Sequence, residues 1–229
     1  MKGILNADNF LMSSLRRLWD YMGLNMCFLL CCIPVVTIGS AHSAMYTAIR
    51  ALGRDEPWLR IFFRTFFRDF KRPTIMWLIM ALIIGVFAWN TMALAVVEDE
   101  ASKVPMTVSA VALGLAMCVC STGFLLYSKF ECTVGQLLRN SVLTVIMHPV
   151  RCALGTALVW LPFVALAIPL FAWLFVETIV YQILIYFSFV SFVFAWLMRK
   201  PLAKMAGEEL PEKKKKKKID EEEEESEEE

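Results

Sequence analysis

Formal charge is missing from long parts of this chain of 229 residues. No Asp, Glu, Lys or Arg lies between Asp20 and Arg50, and the runs 74–97, 104–128 and 152–176 are equally free of charge. A helix needs about 20 apolar residues to cross a hydrocarbon core about 30 Å thick. Such runs, in a chain that is 58% hydrophobic, exclude an ordinary soluble domain. The sequence predicts an all-α fold, a polytopic membrane helix bundle.

Patterns typical of catalytic and metal sites are also missing. The seven cysteines contain no Cys-x-x-Cys pair, and the two histidines, His42 and His148, stand far apart. We find no Ser-His-Asp set and no glycine-rich phosphate loop, and the few acidic residues lie almost entirely at the ends of the uncharged runs. We therefore expect no enzyme activity, no metal and no cofactor.

The cysteines and histidines in or near the uncharged runs are explained more simply by structural roles than by catalysis or metal binding. A cysteine in apolar surroundings behaves as a small hydrophobe, so we assign the seven cysteines to packing. His148, beside Pro149 near the start of a span, is predicted to be interfacial. His42 follows the central motif by one turn, and a role as a proton relay stays open for it.

The central motif is Pro34-Val-Val-Thr-Ile-Gly39, inside the longest uncharged run. Pro34 lacks an N–H and its ring clashes with the preceding turn, so a helix is predicted to break or kink there. The hydroxyls of Thr37 and Ser40 are available to satisfy the freed backbone groups. Gly39 and Ser43 have the small-xxx-small spacing of close helix contacts. Packing is the simpler interpretation, and a polar notch lining a ligand or ion path is the alternative.

The motif also carries a family resemblance. With Trp19, Asn25 and Ala44, and with the Phe-rich basic run 62–72, it resembles the YesL-like family of uncharacterised bacterial integral membrane proteins (domain of unknown function 624). The resemblance extends over about residues 9–201. It implies a multi-pass protein of the bacterial cell membrane, often encoded beside carbohydrate-uptake transporters, and it implies no known activity. The family motif and helix break comprise Pro34, Thr37, Ile38, Gly39, Ser40 and Tyr46.

The segment 58–72 is the most regularly patterned part of the chain. Its arginines recur every four residues, at Arg60, Arg64, Arg68 and Arg72. Phenylalanines fall on the opposite face, so the segment is predicted to be an amphipathic interfacial helix, with the aromatic rings at the headgroup boundary and the arginines over anionic lipids of the cytoplasmic leaflet. A coupling helix that docks a soluble cytoplasmic partner is the alternative. Nucleic-acid binding is not expected, because it would leave the aromatic face in water.

Five transmembrane spans are predicted within a membrane domain of residues 1–206. They lie near 20–40, 74–97, 104–128, 150–170 and 175–198. The remaining residues, 207–229, form a Lys- and Glu-rich tail. Blocks of like charge cannot bury apolar surface, so the tail is predicted to be disordered, and we place it in the cytoplasm.

The distribution of Lys and Arg predicts the orientation, because short loops rich in these residues stay inside. The basic loops after the first, third and fifth spans then lie inside, and the acidic turn at 98–100 lies outside. Five spans with this orientation require an external N-terminus. Arg16 and Arg17 disagree with that placement. A form with four crossings, a re-entrant Pro34 segment and both termini inside therefore stays open.

The leading functional hypothesis is a small accessory membrane protein. It would bind a transport or signalling partner through its basic cytoplasmic face, and the resemblance links it to carbohydrate uptake. The alternative is a transporter or channel with a path near the Pro34–Gly39 break. A hydrated, polar cavity at Thr37, Ser40 and His42 would favour transport, whereas tight packing there would favour the accessory role.

Overall fold

The computed structural model describes residues 2–97, 99–130, 132–167 and 179–207, and this part of the chain contains helices and no strand. The predicted all-α class is confirmed. The helices are α1 Lys2–Cys32, α2 Ile38–Leu52, α3 Trp58–Arg68, α4 Lys71–Ala95, α5 Glu100–Tyr127, α6 Val134–Met147, α7 Pro149–Ala167, α8 Ile179–Leu197 and α9 Arg199–Met205. The predicted tail lies outside the described residues, apart from its first residue, Gly207.

Three of these helices are long and apolar enough to cross a membrane by themselves, namely α4, α5 and α8. They correspond to the predicted spans near 74–97, 104–128 and 175–198. The predicted span near 150–170 falls on α7, whose first part passes the same test only together with α6, and the two are bent by 111°. Within the described ranges there are thus three membrane-capable helices, or four if the bent pair counts as one.

The predicted span near 20–40 is not a single helix. Helix α1 ends at Cys32, a short 3₁₀ turn covers Val35–Thr37, and α2 starts at Ile38. Pro34 has an extended backbone, with φ −76° and ψ 116°, and it has no N–H to continue the ladder of α1. The chain then folds back on itself. Helix α2 has 15 residues, so at about 1.5 Å per residue it is shorter than a hydrocarbon core of about 30 Å.

The longer helices pair as antiparallel hairpins. Between α4 and α5, the Asn90 amide donates to the Ser109 hydroxyl at 3.1 Å, close to the acidic turn that joins the two helices. Between α7 and α8, the Tyr186 hydroxyl donates to the Leu158 carbonyl at 2.6 Å. Helices α1 and α2 form the third hairpin, with the Pro34 break at its tip. The core lies where these three hairpins meet.

Contacts between α1 and α8 show which ends lie together. The rings of Phe28 and Phe187 are 5.7 Å apart, and those of Tyr21 and Phe192 are 5.6 Å apart. As α8 runs towards its C-terminus, α1 therefore runs back towards its N-terminus. The start of the first hairpin lies at the same end of the bundle as the end of α8.

The two ends of the first hairpin also lie together. Arg16 and Arg17 line the same cleft as Asp55 and Glu56, which follow α2. The basic lead-in to α1 is therefore on the side of the basic loop, and its conflict with the other Lys and Arg residues disappears. This geometry favours the four-crossing alternative over five crossings with an external N-terminus. The crossings are then α4, α5, the bent pair α6–α7, and α8.

Much of the outside of the bundle is apolar. Only 11% of the most apolar part of α4 is buried, and its outward side chains include Leu82, Val86 and Trp89. Exposed apolar surface of this extent is unfavourable in water and suits a lipid environment. The packing of α4 thus agrees with its predicted position in the membrane.

Candidate functional site

The Pro34 break satisfies its own backbone. The Thr37 hydroxyl lies within hydrogen-bonding reach of the Cys31 and Pro34 carbonyls. The Ser40 hydroxyl donates to the Thr37 carbonyl at 2.9 Å. Both hydroxyls thus stabilise the turn between α1 and α2 and do not line a path. This is the local role that the sequence suggests for polar residues beside a proline.

Gly39 sits where α2 and α4 are in close contact. A Cβ atom on Gly39 would lie 2.7 Å from the Cβ of Trp77 and 2.9 Å from the carbonyl carbon of Pro73. Real Cβ atoms essentially never approach that closely, so only glycine fits here. The Trp77 indole N–H adds a hydrogen bond of 2.8 Å to the Val35 carbonyl. The start of α4 therefore packs directly against the hairpin tip.

A cavity of about 320 Å³ lies beside the hairpin tip, at the centre of the bundle. Six of the described helices contribute rings to its wall, namely Phe28, His42, Trp77, Phe124, Trp160 and Phe187, and α2 adds a second ring, Tyr46. Ile38 and Tyr46 of the family motif also line it, whereas Thr37 and Ser40 do not. The cavity therefore differs from the hydrated, polar one that would favour transport.

The polar atoms around this cavity are mostly engaged elsewhere. The Trp160 indole N–H donates to the Ser121 hydroxyl at 3.0 Å. His42 stacks on Phe124 with ring centroids 5.4 Å apart, and its Nδ1 lies 3.4 Å from the Ile38 carbonyl. Among the described residues that line the cavity there is no Asp, Glu, Lys or Arg. The predicted alternative of a proton relay through His42 thus finds no acidic neighbour there.

Asn25 is a site residue to which the sequence assigned no role. It is fully buried in α1, and its amide nitrogen lies 3.0 Å from the Gln182 carbonyl and 2.6 Å from the Ile183 carbonyl. Its side-chain oxygen accepts from the Ser188 N–H at 3.0 Å. The two carbonyls belong to a π-helical turn in α8, Gln182–Tyr186, and Ser188 follows that turn by two residues. Asn25 therefore satisfies backbone groups that the wider turn leaves open. In the sequence, the only sign of this role is an amide side chain inside an uncharged run.

The predicted interfacial helix at 58–72 is shorter than expected. Helix α3 ends at Arg68, Asp69 leaves the helical region, and Arg72 lies in the first turn of α4. A continuous helix would place the Pro73 ring against the carbonyl of Asp69 and lose the hydrogen bond to it. The predicted stripe of four arginines is thus three residues on α3 followed by one on α4.

The side chains of α3 form three stripes. Each stripe repeats every four residues: Phe62 and Phe66; Leu59, Phe63 and Phe67; Arg60, Arg64 and Arg68. The first stripe is buried in the core shared with α1 and α2, and the other two are exposed. At about 100° per residue the stripes are about 100° apart around the helix. The predicted phenylalanine face is therefore divided between the protein interior and the outside.

Two arginines of the third stripe are available to other molecules. Arg68 pairs with Asp69 at 2.8 Å. Arg60 and Arg64 are exposed and have no ion pair within the part of the chain that the structure describes. The start of α3 is fixed by Trp58, whose indole N–H donates to the Asp20 carboxylate at 2.9 Å. The two guanidinium groups thus project from a helix that is firmly held.

Comparison with known proteins identifies the family region. Residues 21–91 match the model of a family described as protein of unknown function, DUF624. The match contains Asn25, the Pro34 break, all of α3 and most of α4, and over this range the predicted resemblance is confirmed. The YesL-like name and the extension of the resemblance to residues 9–201 stay predictions. No curated protein and no solved structure matches the chain.

Proposed function

We propose that this chain, which carries a DUF624 region, is an accessory membrane protein that binds a membrane transport or signalling partner. The observation that carries the proposal is the arginine stripe of α3. Arg60 and Arg64 are exposed on a helix anchored by the buried Phe62 and Phe66. Guanidinium groups on a rigid support recognise carboxylates and phosphates through paired hydrogen bonds. The acidic surface of a partner is the ligand that this arrangement suits.

Anionic lipid is the second component of the proposed surface. The exposed Leu59, Phe63 and Phe67 lie about 100° around α3 from the arginines. A helix with neighbouring apolar and basic faces rests at the headgroup boundary, where anionic lipids attract the bases. The concentration of Lys and Arg supports a cytoplasmic position for this end and for the C-terminus. The bacterial cell membrane and the link to carbohydrate uptake come from the family resemblance.

The test compares variants of α3 in native membranes. A tagged chain with Arg60→Gln and Arg64→Gln together should lose a co-purifying carbohydrate transporter that the parent retains, as measured by quantitative mass spectrometry. Arg54→Gln is the matched control, because Arg54 is exposed, lies before α3, and pairs with Glu56 at 3.8 Å. Equal recovery of the transporter with the double variant and the parent would contradict the proposal.

Transport by the chain itself is the alternative function, and the central cavity is the feature that favours it. Within the described part of the chain the cavity has no charged lining residue, and the nearby Thr37 hydroxyl bonds to its own turn. Thr37→Val should therefore cost on the order of 1 kcal/mol of stability, the usual value of one hydrogen bond, without a separate loss of flux. Thermal unfolding in micelles and sugar flux into proteoliposomes measure the two effects. Sugar flux by the purified chain alone would support the alternative and contradict the accessory role.

A further inference from the structure

The central cavity has the size and the walls of a binding site for an apolar molecule. Protein interiors are normally close-packed, and voids larger than a few water molecules are uncommon. An apolar cavity of about 150 Å³ already stays dry and binds benzene, and ligand pockets begin at about 300 Å³. The cavity of about 320 Å³ therefore has room for an occupant, and its seven rings would surround it.

The chemistry of the walls excludes a sugar from this cavity. A sugar carries hydroxyl groups around its ring, and each buried hydroxyl without a partner is costly. The indole N–H groups of Trp77 and Trp160 already donate to Val35 and Ser121. The lining residues that the structure describes include no charged side chain. What the walls offer is ring faces and methylene groups, which suit an uncharged hydrocarbon.

The depth of the cavity points to the source of that hydrocarbon. Phe187 lies at the middle of α8, which runs from Ile179 to Leu197, and Trp160 lies near the middle of α7. Trp77 and Phe124 lie nearer the basic end of the bundle, close to the start of α4 and the end of α5. The tip of the first hairpin closes the cavity from the side of α1 and α2. The cavity thus lies between the middle of the bilayer and its basic side, within the uncharged runs, where lipid acyl chains are the most abundant apolar groups. We propose that the cavity binds the acyl chain of a membrane lipid.

This site is separate from the proposed surface on α3. The cavity contacts the hydrocarbon end of a lipid, whereas Arg60 and Arg64 face headgroups and partner proteins. The inference does not depend on the proposed function, and the double arginine variant should leave the acyl-chain site unchanged. An α3 variant that keeps acyl-chain binding and loses its partner would show the two sites to be independent.

Photolabelling of the full chain in its own membranes tests the proposal. Cells are supplied with a fatty acid that carries a photoreactive group within its chain, and the crosslinked peptides are mapped by mass spectrometry. We expect label on the peptides that contain Cys32 and Cys120, two of the cavity-lining residues. Excess natural phospholipid should compete the label away. Label confined to outward residues of α4, such as Leu82 and Val86, would overturn the proposal.

A filling variant supplies the matched comparison. Cys32→Phe places a ring in the cavity, and we expect its photolabel to fall to background. Cys31→Phe makes the same change one residue earlier, outside the cavity lining, and should keep the label. Equal labelling of the two variants would overturn the proposal. If Cys32→Phe does not fold, the crosslink map of the parent chain decides the question.

The occupant of the cavity could instead be a small free apolar molecule, and a thermal unfolding experiment distinguishes the two. Purified chain is heated with indole or with a phospholipid of natural acyl length, and the unfolding temperature is followed. Stabilisation by the phospholipid, abolished in Cys32→Phe and kept in Cys31→Phe, supports the proposal. Stabilisation by indole alone, together with no cavity crosslink, would overturn the assignment to a lipid.

Discussion

At the scale of single residues, Asn25 has the most demanding role in the bundle. Its buried amide makes hydrogen bonds to three backbone groups of α8. Side-chain hydrogen bonds between membrane helices average about 0.6 kcal/mol and reach about 1.7 kcal/mol. Asn25→Leu should therefore lower the free energy of unfolding by about 2–4 kcal/mol, because all three groups lose their partner. Denaturation in detergent micelles measures the loss.

Asn90 offers the matched control for this change. It lies in α4, and among the described residues its side chain makes one hydrogen bond, to Ser109. Asn90→Leu should cost about 0.6 kcal/mol, the average for a single such bond. If Asn25→Leu and Asn90→Leu unfold at the same denaturant concentration, Asn25 does not hold α1 to α8.

Gly39 and Gly85 form a second comparison at this scale. A Cβ on Gly39 would meet the backbone of Pro73, whereas a Cβ on Gly85 would meet no atom of the described residues within 4 Å. Gly39→Leu should cost about 1–3 kcal/mol through overpacking, and both expression and the unfolding temperature should fall. Gly85→Leu should leave both nearly unchanged. A Gly39→Leu chain as heat-stable as the Gly85→Leu chain would rule out the close contact.

The sequence could predict these residue roles only where their causes are local. Pro34 breaks a helix through its own ring, and the small side chain of Gly39 indicates a close contact without naming its partner. The role of Asn25 could not be predicted, because the carbonyls it binds lie more than 150 positions along the chain. A buried amide signals that a partner exists and does not identify it.

At the scale of elements, α3 shows what periodicity can and cannot predict. The spacing of Arg and Phe correctly predicts an amphipathic helix. It does not predict that Phe62 and Phe66 pack into the protein while Phe63 and Phe67 stay outside. That division depends on the position of α1 and α2, which no local pattern contains. The end of the helix near Arg68 could be predicted from the sequence, since Pro73 follows it and a proline interrupts a helix.

Two neighbouring phenylalanines of α3 test this division. Phe66 is 7% exposed and Phe67 is 72% exposed. Phe66→Ala should lower the free energy of unfolding by about 3–5 kcal/mol, as for other buried Phe side chains. Phe67→Ala should change it little and should instead weaken binding to vesicles that contain anionic lipid. Equal stabilities for the two variants in micelles would contradict the three-stripe arrangement.

The bend between α6 and α7 is a second feature that the uncharged runs of the sequence do not indicate. Hydropathy places a span near 150–170, and α7 begins there, at Pro149. His148 leaves the helical region with φ −135° and ψ 55°, and the proline cannot continue the ladder of α6. The chain turns by 111° and α6 packs against α5. Such a change of direction depends on tertiary contacts, so hydropathy alone could not predict it.

At the scale of the whole molecule, the open ends of the three hairpins share one side of the bundle. The distribution of Lys and Arg allows two incompatible arrangements, because Arg16 and Arg17 contradict an external N-terminus. The sequence could not choose between them, since the choice depends on whether α2 returns to the side where α1 starts. The cleft that Arg16 and Arg17 share with Asp55 and Glu56 favours the return. The basic surface of α3, the N-terminal segment and the end of α8 then face the same compartment.

Cysteine accessibility in intact cells tests this claim most directly. Met12→Cys, Arg64→Cys and Val97→Cys place a thiol at three exposed positions, and the parent chain with its seven cysteines gives the background. A membrane-impermeant maleimide should label only the Val97→Cys chain in intact cells, and the other two only after permeabilisation. Labelling of Met12→Cys without Arg64→Cys in intact cells would show that the Pro34 segment crosses the membrane. Labelling of Arg64→Cys there would place the basic face outside, and either result would contradict the account.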